Sequence, residues 1–139
     1  MAGSVVQTRT TNPDKVKTER IITLACTSDA AAGTIPDTTL PGLTNYVLGE
    51  VLTTPSGGAT APETAYRVQV VDANGAQIFL SGSARSLTAA ERESGHSTLG
   101  YFPPVDGTLT AKIVATGSLA AANIGNSNII TVTLRFVKR

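Results

Sequence analysis

The alternation of apolar and polar residues near the end of the chain restricts its fold more than any other sequence feature. GTLTAKIVAT (107–116) and NIITVTLRFV (128–137) place an apolar residue at almost every second position. Period two puts successive side chains on opposite faces of a β-strand. The alternation argues against a parallel α/β sheet, because the central strands of such a sheet read as continuous apolar runs. Both segments are therefore predicted to be antiparallel strands with one buried face.

Several earlier segments carry the same signal and are separated by turn chemistry. KVKTERIITLACT, TNYVLGEVLTT, AYRVQVV and AQIFL read as strands, and the DANG between the last two predicts a hairpin in which Asn74 and Gly75 take positive φ. The chain also contains 13 Gly and seven Pro, and Thr, a good strand former, is its commonest residue. We predict an all-β fold, an antiparallel β-sandwich that is jelly-roll-like or, alternatively, immunoglobulin-like.

The length of 139 residues predicts a single domain. VVQTRT (5–10) is followed by the turn signal NPD (12–14), so residues 1–19 are predicted to form an N-terminal arm or a first strand. Residues 20–139 then form the sandwich domain. SDAAAGTIPDTTLPG (28–42) is predicted to be a long connection.

One stretch between predicted strands, SGSARSLTAAERESGHSTLGYFPP (81–104), carries a helix signal. Thr88 as N-cap with Glu91 three residues later forms a capping box, and Gly95 suits the position after a helix. We therefore expect AAERES to be a short helix in a long loop, on which Glu91 and Glu93 do not share a face. GYFPP is predicted to pin the return of the loop to the sandwich.

Charge and hydropathy argue against two classes of partner. The net charge is +1 and the basic residues are scattered, whereas nucleic-acid binding needs a clustered basic surface. No apolar run approaches the ~20 residues that span a bilayer, and the N-terminus lacks the pattern of a secretory signal. We expect neither a nucleic-acid nor a membrane partner.

The chemistry-bearing residues predict neither an enzyme nor a cofactor site. The only imidazole, His96, lies in a polar loop, and the lone Cys26 reads as a buried, inert thiol. One His and one Cys do not supply a zinc site, and SGGATA lacks the Lys-Ser/Thr of a phosphate-binding loop. The absence of Trp from the sequence counts against a glycan-binding surface.

Three segments together resemble small head-module proteins of tailed bacteriophages: YVLGEV (46–51), the linker PSGGATAP (55–62) and YRVQVVDANG (66–75). The final strands match as well, so the resemblance covers about residues 20–137. It implies a structural virion protein, a capsid decoration or cement protein. Such a protein is assembled in the host cytoplasm, binds the lattice of the major capsid protein on the capsid surface and forms a dimer or trimer.

The resemblance supplies no catalytic residues, so the contact residues are inferred from charged side chains without a predicted structural role. These candidates for partner contact are Lys15, Lys17, Arg20, Arg85, Glu91, Arg92, Glu93 and His96. Two alternatives share the same features: a tail, collar or fibre component, and a glycan-binding surface module.

Overall fold

The structure, a computed structural model, describes residues 2–10, 19–82 and 84–139, apart from the side chains of residues 10 and 106. Eight strands account for most of the described chain. They are β1 (Ser4–Thr10), β2 (Glu19–Thr27), β3 (Thr38–Pro55), β4 (Tyr66–Val71), β5 (Gln77–Leu80), β6 (Glu91–Ser94), β7 (Pro104–Ala115) and β8 (Ile129–Lys138).

All strand pairs are antiparallel and belong to one sheet. The order is β1-β2-β8-β3-β7-β4-β5, with β6 paired to β3 beside this path. The period-two prediction is confirmed in β8, where Ile130, Val132, Leu134 and Phe136 are all buried and the residues between them are only half-buried. The all-β prediction is confirmed as well: the described residues contain no α-helix, only the 3-10 turn Gly58–Thr60.

Strand β3 connects the two halves of the sheet. Its first part, up to Val47, pairs with β7, and its second part, from Tyr46, pairs with β8. The register with β7 shifts between Leu40 and Leu43 and again between Leu43 and Tyr46. Each shift adds one residue to β3, which is the signature of a β-bulge and bends the strand. The predicted connection 28–42 is therefore wrong at its end, because its Pro-Gly pair makes a bulge and the strand continues through it.

The two halves of the sheet share one core. One half contains β1, β2 and β8, and the other contains β4, β5 and β7. Leu24 and Val132 from the first half line the same internal void of about 10 Å³ as Val68 and Ile113 from the second. A single cluster of buried residues includes members of both halves. A sandwich is not confirmed, since the strands form one continuous sheet that bends at β3.

The hairpin predicted at DANG is confirmed between β4 and β5. Asp72 Oδ1 accepts hydrogen bonds from the backbone N–H groups of Asn74 and Ala76, both at 2.9 Å. Of the two turn residues expected to take positive φ, only Gly75 does so, at +82°. The register shifts by one residue between Val70 and Val71, so the loop is longer and bulged.

Candidate functional site: the excursion between β5 and β7

The chain between β5 and β7, here called the excursion (residues 84–103), forms a strand where a helix was predicted. Residues 91–94 are β6, which pairs with Glu50–Thr53 of β3. Thr88 does not cap a helix. Instead, Ser86 Oγ accepts hydrogen bonds from the N–H groups of Thr88 (3.2 Å) and Ala89 (3.0 Å). The prediction of a helix with Thr88 as N-cap is wrong, because the open edge of β3 offers these residues a partner strand that an isolated short helix lacks.

A buried ion cluster holds β6 to the start of the excursion. Arg85 is only 5% exposed, and its guanidinium lies 3.2 Å from Glu93 Oε2 and 3.7 Å from Glu91 Oε2. Both carboxylates also accept backbone hydrogen bonds, Glu93 from Gly82 N–H at 2.8 Å and Glu91 from Ser86 N–H. In a strand, residues two apart point to the same side. The two carboxylates therefore share a face, contrary to the helical prediction, and converge on Arg85.

The opposite side of β6 carries Arg92, which is exposed. Its Nη1 lies 2.6 Å from Glu50 Oε1 of β3, and 67% of the side chain is accessible to solvent. The strand ends at Ser94, and the N–H of the next residue, Gly95, donates to the carbonyl of Gly49 at 2.8 Å. A side chain at Gly95 would collide with the carbonyl oxygen of Leu48, since an added Cβ would lie 1.8 Å from it. Gly95 thus permits close approach to β3 and does not cap a helix.

The last part of the excursion, residues 96–102, is tied down at both ends. Thr98 Oγ1 accepts from Leu80 N–H at 2.7 Å and donates to Leu80 O at 3.0 Å, which attaches the loop to β5. Gly100 N–H donates to His96 O at 2.8 Å, and Leu48 N–H donates to Pro103 O at 3.1 Å. The loop has a fixed path and does not trail into solvent.

Three large apolar side chains in this loop face solvent: Leu99 is 37% exposed, Tyr101 58% and Phe102 46%. The His96 ring stacks edge-on against Phe102, with ring centroids 5.0 Å apart and an interplanar angle of 68°. Only Pro103, at the C-terminal end of GYFPP, and the following Val105 are buried. The prediction that GYFPP pins the loop is therefore wrong for its two aromatic residues.

Phe102 borders a shallow depression of about 230 Å³ on the outer face of the sheet. Val47 and Gly49 of β3 and Val137 of β8 supply the rest of its lining. We call Leu99, Tyr101, Phe102, Val47 and Val137 the apolar patch. Sequence reasoning missed it because strand alternation predicts buried faces, not exposed ones. The sequence signal that could have identified the patch is GYFPP, which places two aromatic residues together in a chain whose aromatic content is only 4%.

The predicted contact residues fall into four groups. Lys15 and Lys17 lie outside the described residues. Arg85, Glu91 and Glu93 bind one another and are not available as a charged surface. Arg92 and His96 are exposed on the excursion, and Arg20 lies at another place, beside β1 and the bulged part of β3.

The residues considered for chemistry are not brought together. Cys26 is buried on β2, where its Sγ–H donates to Leu24 O at 3.6 Å and burial raises the thiol pKa to about 12. His96 is exposed on the excursion. Within the described ranges, no group of three or more His, Cys, Asp or Glu residues is placed to hold a metal ion. The described residues also include no helix with the length and apolarity needed to span a membrane.

Comparisons with protein-family models, with curated proteins and with solved structures found no match for this chain.

Proposed function

We propose that this chain is a structural virion protein of a tailed bacteriophage, a capsid decoration or cement protein that binds the major capsid lattice and stabilises the expanded head. The resemblance of residues 20–137 to head-module proteins supports this proposal. The structural observation that carries it is the apolar patch, which presents aromatic side chains on a loop fixed to the sheet. The mechanism is physical, and it involves no turnover.

The apolar patch has the composition of a binding surface. Interfaces are enriched in aromatic residues and depleted of charge at their centre, and large exposed apolar side chains grouped in one short segment of a small domain commonly mark a contact site. Here Arg85 pairs with Glu91 and Glu93 inside the excursion, whereas Leu99, Tyr101 and Phe102 face solvent. The contact with the capsid is therefore proposed to be apolar at its centre, with Arg92 and His96 at its rim.

The architecture proposed for this role is a two-layered sandwich in which the bent sheet supplies both layers. Lattice binding repeats one contact many times, and a dimer or trimer of the chain would engage several sites together. Linked sites bind with a high effective concentration, so modest individual contacts give a large total stabilisation of the shell.

The proposal is tested by co-sedimentation with expanded empty capsids assembled from the major capsid protein encoded near this chain's gene. The wild-type protein is expected to sediment with the capsids. Replacing Tyr101 and Phe102 together by serine should weaken binding at least about tenfold, because interface aromatic residues contribute roughly 2 kcal/mol or more each. Urea unfolding should show little change, since both side chains are about half exposed.

The matched control is Leu119→Ser, which removes another exposed apolar side chain (57% accessible) in the connection between β7 and β8. It should leave capsid binding unchanged. Wild-type protein that fails to bind capsids but binds purified tails, or a glycan array, would overturn the capsid assignment in favour of a tail component or a glycan-binding module.

A further inference from the structure

A cleft of about 330 Å³ opens at one end of the sheet, between the strand pair β1–β2 and the bulged part of β3. Arg9 and Arg20 line one side together with the buried Ile22. Pro41 and Leu43 line the other side. The cleft therefore combines two guanidinium groups with an apolar wall.

Strand register explains why two arginines meet there. Arg9 of β1 pairs with Ile22 of β2, and Arg20 precedes Ile22 by two positions. With period two, both arginines project from the same face of the sheet as Ile22, the face that forms the core. They lie at the end where the core stops, opposite the position at which the bulge between Leu40 and Leu43 bends β3. The bulge leaves an open space in front of the two charges.

Arg9 is positioned by its neighbour Gln7. The Nε–H of Arg9 donates to Gln7 Oε1 at 3.1 Å, and Gln7 Nε2 donates to the carbonyl of Thr39 on β3 at 3.4 Å. This chain of bonds joins the two sides of the cleft and uses only the Nε–H of the guanidinium. Among the described residues the two terminal amino groups of Arg9 have no partner, and they can bind a carboxylate in the bidentate geometry that arginine favours.

The surroundings of Arg20 add positive charge. Its guanidinium carbon lies 5.6 Å from the centroid of the Tyr46 ring, and Lys138 Nζ lies 4.9 Å from the same centroid. Cation–π contacts of this kind hold both cations near the ring. Arg20 Nη1 also donates to the carbonyl of Glu19 at 3.0 Å, and the carboxylate of Glu19 is bonded to Arg135 at 3.1 Å.

We propose that this cleft binds an acidic segment of a partner protein, in which a carboxylate engages Arg9 and an adjacent apolar side chain contacts Ile22 and Leu43. Charge complementarity selects an anionic occupant. The apolar wall and the volume favour a peptide that carries both kinds of side chain over a small inorganic anion, which would use only the charges. The proposal rests on the geometry of the cleft and is independent of capsid binding.

The test is calorimetric titration of the full chain with a short peptide of alternating glutamate and leucine, beside a control peptide in which glutamine replaces glutamate. We expect binding of the acidic peptide only, with amide NMR shifts confined to residues near Arg9, Ile22 and Leu43. Arg9→Gln should weaken binding about tenfold, the cost of losing one charge-assisted pair. Arg92→Gln, which removes an exposed arginine on β6, should leave it unchanged.

Equal weakening by Arg9→Gln and Arg92→Gln would show non-specific attraction and overturn the proposal. So would binding of the glutamine peptide with the same affinity, or displacement of the acidic peptide by inorganic phosphate at equal concentration. A second variant, Leu43→Ser, tests the proposed apolar contact separately from the contact between the carboxylate and Arg9. This variant should bind the acidic peptide more weakly, while any binding of phosphate alone is unaffected. An unchanged affinity for the peptide would rule out the apolar contact.

Discussion

Two buried groups that titrate at alkaline pH, the Cys26 thiol and the Tyr66 hydroxyl, lie in the shared core. Burial raises the pKa of each from its ordinary value, 9.0 for the thiol and 10.0 for the hydroxyl, to about 12. Tyr66 is fully buried, and its hydroxyl has no hydrogen-bond partner among the described residues. Both groups must stay protonated for the core to remain intact, because an unpaired buried charge is costly.

A raised pKa makes the folded state bind its proton more tightly than the unfolded state. The contribution of Cys26 to stability is therefore complete below pH 9 and is lost as the pH rises from 9 towards 12. We expect the free energy of unfolding to fall across this interval, with Cys26 contributing up to about 1.4 kcal/mol per pH unit. Urea unfolding of the wild type and of Cys26→Ala at pH 8, 9, 10 and 11 measures this dependence of the free energy of unfolding on pH.

Other groups also titrate in this range, so the informative quantity is the difference between the two proteins. Cys26→Ala loses packing at every pH, and that loss is a constant offset. The gap between wild type and variant should narrow steadily above pH 9. A gap that stays constant up to pH 11 would contradict the assignment of a raised thiol pKa.

The sequence identifies the charged residues of the excursion but not their geometry. A helical path places Glu91 and Glu93 on different faces, whereas the strand path that the chain takes places them together. The choice between the two paths depends on whether an open strand edge is nearby. That edge belongs to β3, about 40 residues earlier in the chain, and local propensity carries no information about it.

At the scale of elements, β6 is a four-residue strand that pairs with only one neighbour. Four residues on an edge give little stability by themselves. The ion cluster around Arg85 joins this strand to the first part of the excursion, and the N–H of Arg85 donates to the carbonyl of Tyr66 on β4 at 2.7 Å. Removing Arg85 would leave the carboxylates of Glu93, 14% exposed, and Glu91, 31% exposed, without their cation.

Arg85→Ala is expected to lower the free energy of unfolding by about 3 kcal/mol, the usual cost of breaking a buried ion pair. Arg92→Ala, on the same strand but 67% exposed and paired only with Glu50, should cost at most about 0.5 kcal/mol. Urea unfolding at neutral pH measures both. Equal costs for the two variants would mean that the cluster does not hold the excursion.

Strand periodicity predicted β7 and β8, the elements whose sequences alternate strictly. One face of each of these strands is buried, and the other face is more exposed to solvent. This periodicity failed at the beginning of β3, where Pro41 and Gly42 read as the end of a connection. Proline and glycine do mark interruptions, but in this 18-residue strand, which pairs with β7 on both sides of them, the interruption takes the form of a bulge. The same bulge opens the cleft beside Arg9. Because Pro41 and Gly42 indicate a connection when the sequence is considered alone, this cleft is not predicted from the sequence.

At the scale of the whole molecule, the two halves of the sheet cannot separate without disrupting β3, which is hydrogen-bonded to both. Buried side chains from each half also contact one common core. A small domain with a shared core is expected to unfold in one cooperative transition. Five of the seven strand pairs in the described residues join segments distant in the sequence, which predicts slow folding for the size of the chain.

Cooperativity can be measured with one probe in each half. Cys26 on β2 reports its half by its reactivity towards a thiol reagent, and Tyr66 on β4 reports the other by ultraviolet absorbance in a Tyr46→Phe/Tyr101→Phe background. The two urea midpoints are expected to coincide within error. Exposure of Cys26 at a lower urea concentration than the change at Tyr66 would show that the halves unfold separately.

The tethering of residues 96–102 has a kinetic consequence for any complex that the apolar patch forms. A loop held by Leu80, Leu48 and its own internal hydrogen bond does not have to be ordered on association. The entropy cost of fixing Tyr101 and Phe102 is then limited to their side-chain rotamers. Such preorganisation mainly slows dissociation. In the capsid-binding role proposed above, a slowly dissociating contact would favour long residence on the shell.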